Sequence, residues 1–149
     1  MKKRKLFSPI LTATLILLVY VVFSYSLINK NLSNTGRIVE GSPSLSFDVY
    51  TNSSCMEKVT MMNWGNITIG QNKTHSNYIR NEASTPMQLS MHTTDWNPSI
   101  AIQYLALTWN YQNQTIQPSN GLYINFFLYV SWDTQYVTTF SFVIIISAF

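Results

Sequence analysis

From position 45 onward, apolar and polar residues alternate with a period of two. Leu45, Phe47 and Val49 alternate with Ser46, Asp48 and Tyr50, the pattern of a strand with one buried face. Met87, Leu89 and Met91 alternate with Gln88, Ser90 and His92 in the same way. The longest run, Leu122 to Ser131, puts Leu122, Ile124, Phe126, Leu128 and Val130 on one face, and Phe140, Phe142, Ile144 and Ile146 repeat the pattern. Shorter apolar runs at Val59 to Trp64 and Asn66 to Ile69 break at Gly65 and Gly70, and Ser76 to Asn81 reads as a short strand. Leu105 to Tyr111 predicts a further strand, reached through Asn97-Pro98 and one helical turn at Ser99 to Tyr104. The expected fold class is therefore all-β, an immunoglobulin-like antiparallel sandwich of seven to eight strands.

Ahead of these strands the pattern changes. Leu6 to Ile28 is an uncharged apolar stretch of 23 residues, preceded by Lys2, Lys3, Arg4 and Lys5. A spanning helix needs roughly 20 apolar residues, so this segment is long enough to cross a bilayer. Pro9 falls in its first turn, where a missing N–H costs little. The expectation is one N-terminal transmembrane helix, retained as an anchor; Ser24-Tyr25-Ser26 leaves a cleaved signal peptide as the other reading. Four cations before the segment, against Lys30 and Arg37 after it, orient the tail toward the cytoplasm. The predicted division is a cytoplasmic basic tail (1–5), a transmembrane helix or uncleaved signal anchor (6–28), a polar stalk (29–44) and an extracellular β-sandwich (45–149).

Charge narrows the function classes. The net charge is +3 from nine Lys and Arg against six Asp and Glu, but four of the nine cations are Lys2 to Lys5. The remaining five cations face all six acids, so residues 29–149 carry −1. That removes the clustered positive charge on which nucleic-acid binding depends. The chain has 14 Asn, five of them in N-x-Ser/Thr sequons: Asn31, Asn52, Asn66, Asn72 and Asn113. All five lie on the side expected to be external, where they are candidate glycosylation sites.

Residues that could carry chemistry are few. Cys55 is the only cysteine, so no internal disulfide can form. Cys55, His75, His92 and Met91 hold the ligand types of a blue-copper site. Their order argues against one, because the cysteine comes first and nothing after His92 could ligate as His or Cys. There is no G-x-S-x-G, H-E-x-x-H, P-loop or G-x-G-x-x-G. Trp64, Trp96, Trp109 and Trp132 could line a ligand platform or serve as core and sheet-edge anchors. The expectation is a non-enzymatic protein with no catalytic residue, no metal, no cofactor and no small-molecule substrate.

Two stretches resemble known proteins. Ser8-Pro9-Ile10 followed by Ala13-Thr14-Leu15, behind the basic run, resembles the start of archaeal type IV pilins; it departs from them at Leu6, where that family carries a small residue. The motifs FDVY (47–50), Cys55, NWG (63–65), YIRNE (78–82), TPMQLS (85–90), WNP (96–98), LTWNY (107–111) and FSF (140–142) resemble archaeal membrane-anchored ectodomains. The resemblance implies an immunoglobulin-like sandwich on the outer cell surface and transfers no catalytic residue. The expected partners are the membrane and other surface proteins or copies of this chain. An extracellular ligand-binding or accessory subunit of a membrane complex is the alternative. In the final run Phe140, Phe142, Ile144 and Ile146 share one face while Val143 and Ile145 make the other face apolar too. Such a strand is either central and covered or an edge open to assembly.

Overall fold

The alternation along the chain becomes the two inner faces of a β-sandwich. The computed structural model describes residues 31–40, 46–134 and 137–149, and Asn31–Phe149 forms one compact unit. The basic tail and the expected membrane helix fall outside the described residues. Among those described, no helix is long and apolar enough to cross a membrane. The strands are β1 (Asn31–Glu40), β2 (Phe47–Tyr50), β3 (Met61–Asn63), β4 (Ile67–Thr68), β5 (Asn72–Asn81), β6 (Leu89–Asn97), β7 (Leu105–Trp109), β8 (Gly121–Val130) and β9 (Thr139–Ala148). One sheet has the order β3-β1-β9-β6, with β4 also paired to β1, and the other has the order β2-β5-β8-β7.

Three expectations are corrected here. Segment 29–44 is not a polar stalk throughout, because residues 31–40 form β1, held between β9 on one side and β3 and β4 on the other. The folded unit therefore starts ahead of position 45. The sandwich is not wholly antiparallel either: β1 and β9 run parallel from Ser33↔Thr139 to Glu40↔Ile146. Finally, the described residues hold nine strands rather than seven or eight, β1 being the addition, since the two-residue β4 falls in the expected run Asn66 to Ile69. β1 escapes the period-two reading because its apolar residues Leu32, Ile38 and Val39 do not alternate. Gly36 packs closely on the core: a Cβ there would stand 3.2 Å from both the Phe142 ring and Trp64 Nε1.

The core lies between the sheets. β8 contributes Ile124, Phe126, Leu128 and Val130, and β9 contributes Phe140, Phe142, Ile144 and Ile146, all buried. Each such side chain stabilises the fold by about 1.5–3 kcal/mol relative to exposure. Trp96 stacks on Phe142 with ring centroids 4.3 Å apart. Polar ties supplement this packing. The Tyr111 hydroxyl accepts the Leu89 N–H at 3.0 Å and donates to the Gln114 carbonyl at 2.6 Å, linking the strand ends of the two sheets. Asn81 is fully buried at the end of β5. Its amide donates to the carbonyls of Thr85 (2.8 Å) and Ile116 (2.9 Å), and its Oδ1 accepts the Ala83 N–H at 2.8 Å. A buried polar group needs partners of this kind to be tolerated.

Strand register also settles which segments share an end. β1 and β9 start together, and antiparallel β6 finishes beside the start of β9, with Asn97 opposite Ser141. β8 ends where β7 and β5 begin, with Val130 opposite Leu105 and Tyr129 opposite Asn72. This end gathers Asn31, the turn at Gly70, the 3-10 segment Ser99–Gln103 that links β6 to β7, and the segment after β8. The opposite end carries the β5–β6 and β7–β8 connections.

Candidate functional site

The sequons are distributed along the unit. Asn52, Asn66, Asn72 and Asn113 are all exposed. Asn52 sits in the β2–β3 loop, its Oδ1 accepting the Ser54 N–H at 2.9 Å and the Ser54 hydroxyl at 2.5 Å. Asn113 lies in the β7–β8 connection with φ 58°, its carbonyl accepting Gln88 Nε2 at 2.9 Å. Asn72 opens β5 opposite Tyr129. Asn66 precedes β4, and Lys73 Nζ donates to its carbonyl at 2.9 Å. Asn31 opens β1 at the end just defined; only its backbone is described.

The candidate assembly strand is central. β9 pairs with β1 along one side and β6 along the other, so an edge-to-edge contact through it would have to displace one of them. Phe140, Phe142, Ile144 and Ile146 face the core. Val143 and Ile145 are half-buried on the outer face, where Ile145 lies level with Val39 of β1 and His92 of β6.

The sequence reading missed a row of aromatics on the other sheet. On β8 the residues alternating with the core set are Tyr123, Asn125, Phe127 and Tyr129, with Tyr123 and Tyr129 exposed. Tyr78 of β5 packs edge-on against Tyr123 at 5.1 Å. The β2–β3 loop reaches this face: the Ser53 N–H donates to the Tyr123 hydroxyl at 3.1 Å, and the two hydroxyls share a hydrogen bond at 3.1 Å. These bonds from Ser53, side chain and backbone, lower the pKa of Tyr123. The signal lay in the odd-numbered positions of β8, opposite its buried face.

Charge concentrates at the β2–β5 edge. Lys58 pairs with Asp48 at 2.7 Å and Arg80 with Glu82 at 3.5 Å. The buried Tyr50 donates to Glu82 at 3.0 Å, with Asp48 Oδ2 3.3 Å away. Burial first, then these acidic neighbours, pushes its pKa from 10.0 up to about 12. Each acid there has a cation beside it, which suits a structural clasp.

The cysteine and histidines stand on separate elements. Cys55 is in the β2–β3 loop. His75 on β5 meets the Asn63 carbonyl at 3.0 Å and the Trp64 ring edge-on at 4.6 Å. His92 is on β6. Among the described residues no group of three His, Cys, Asp or Glu could hold a metal ion. The tryptophans do not share a platform: Trp64 and Trp96 are core, Trp109 packs half-buried against Tyr111 and Phe126, and Trp132 is 63% exposed. No protein-family model and no curated protein matches the chain.

Proposed function

We propose that this chain is a single-pass membrane protein whose external, immunoglobulin-like sandwich works by contact with other surface proteins or with copies of itself, not as an enzyme. The carrying observation is an uncharged segment of 23 residues behind four cations, joined within three residues to a β-sandwich. Exposure of every sequon asparagine whose side chain is described supports glycosylation of that surface. The pilin-like Ser8-Pro9-Ile10 motif extends the reading to a filament subunit. Two faces offer contact area. One is the aromatic row on β5 and β8; the other is the Val143–Ile145 face of β9. The closed edges of β9 favour contact through a face over strand addition.

Protease added to intact cells should remove the sandwich and leave the basic tail protected. Mature protein released into the medium, starting near Leu27, would replace the anchor with a cleaved signal peptide.

A further inference from the structure

One end of the sandwich combines three exposed apolar side chains. Trp132, in the segment after β8, is 63% exposed; Ile102 and Ile100, in the 3-10 segment, are 57% and 40% exposed. The two segments adjoin, since the Ser131 N–H donates to the Tyr104 carbonyl at 2.8 Å. Pro98, immediately before the 3-10 segment, is exposed as well. Between Pro98 and Gln103 only Ala101 faces the core.

This display is built into the backbone. Gly70 has φ +75°, and a Cβ on it would stand 2.2 Å from Trp132 Cε2. Only glycine satisfies both the turn and the ring. The Gly70 N–H also donates to the Val130 carbonyl at 2.9 Å, fixing this turn beside the end of β8. The indole is therefore seated on Gly70 while most of its surface stays open. Water alone gives no reason to hold a tryptophan this way.

Asn31 is at the same end, by the register of β1, β4 and β9. Only Asn29 and Lys30 separate it from Ile28, the last residue of the apolar segment. Three residue steps of extended chain reach about 10 Å. If residues 6–28 cross a bilayer, this end of the sandwich is tethered at the bilayer surface.

We propose that Ile100, Ile102 and Trp132 form a lipid-contacting foot that dips into the outer membrane interface. The chemistry fits that depth: tryptophan favours the headgroup boundary, and isoleucine the adjoining acyl region. Asp95 and Asp133 at this end are matched by Lys30 and Lys73, so the foot has no net charge that would call for an anionic surface. The inference rests on the anchored reading above.

The test uses the full chain reconstituted in phosphatidylcholine liposomes, with and without bromine-labelled acyl chains. Flotation after alkaline carbonate washing reports the anchor, and tryptophan emission reports the foot. Brominated lipid should quench the wild-type protein more than the Trp132→Phe variant. Ile100→Ser with Ile102→Ser should reduce that excess while flotation and the β-type circular dichroism persist. Adding anionic lipid should not increase it. A chain that floats but shows no quenching attributable to Trp132 would overturn the foot alone, whether acrylamide reaches the indole or a protein contact shields it. A chain that fails to float would remove the anchor and the foot together.

Discussion

Tyr50 shows how a single side chain can carry a pH signature without any catalytic duty. It is buried beside Asp48 and Glu82, and its pKa is raised from 10.0 to about 12. A raised pKa in an acid means that the fold favours the neutral phenol. Its stabilising contribution is therefore complete below pH 10 and is lost as pH climbs toward 12. Ultraviolet difference titration should show one late-ionising tyrosine, and Tyr50→Phe should abolish that last step. If the variant titrates like the wild type, the assigned cluster is not what holds the phenol neutral. Asn81 makes the complementary point. Its three hydrogen bonds organise the β5–β6 turn, yet within Tyr-Ile-Arg-Asn-Glu it looks like any polar residue closing a strand. Local spelling does not reveal that a side chain is buried against a carbonyl 35 positions away.

At the level of elements, β1 is the test case. Its Ile38 N–H donates to the Thr60 carbonyl at 3.0 Å, so Ile38→Pro should remove that ladder hydrogen bond and lower stability. It should also loosen β1 from the segment that leads into β3. Hydrogen exchange should then accelerate along residues 35–38 and 61–63 while the β5–β8 pairing stays protected. Uniform acceleration through both sheets would mean that β1 is not a separable element. The sequence predicted β2, β6, β7, β8 and β9 to within a few residues, because each alternates apolar with polar positions against one core. The 3-10 segment was also expected, at Ser99 to Tyr104. β5 proved longer than Ser76 to Asn81: its first half, Asn72 to Ser76, is held by pairing to β8 and buries no side chain fully. β1 was hidden for the same reason. Backbone pairing can hold a strand in a sheet whatever its spelling, and the Asn, Thr, Gly and Ser of these two stretches carry no apolar alternation to read. Of the surface features, the sequons could be read directly, whereas the aromatic row and the foot required strand register and chain ends to be known.

The whole molecule gives these sites an order along one axis. Asn31 begins three residues after the apolar segment, whereas Asn113 lies in a connection at the opposite end of the sandwich and Asn52 in the β2–β3 loop. A glycan-transferring enzyme must seat a sequon in its own cleft, and under the proposed anchoring a bilayer close to Asn31 would obstruct it. Glycopeptide mass spectrometry on native material should find Asn52 and Asn113 occupied more fully than Asn31. The reverse order would contradict an anchored sandwich. The parallel pairing of β1 with β9 adds a mechanical property to this arrangement. The chain enters the sheet at the start of β1, while Phe149 follows the far end of β9. Tension between residues 31 and 149 would pull these two adjacent strands in opposite directions along their length. Their hydrogen bonds would be strained together in shear, not peeled apart one at a time. Resistance to pulling is then governed by the barrier to that concerted rupture. Under the proposed anchoring, a fold tied at its entry strand in this way would bear load between the membrane and whatever grips its far end.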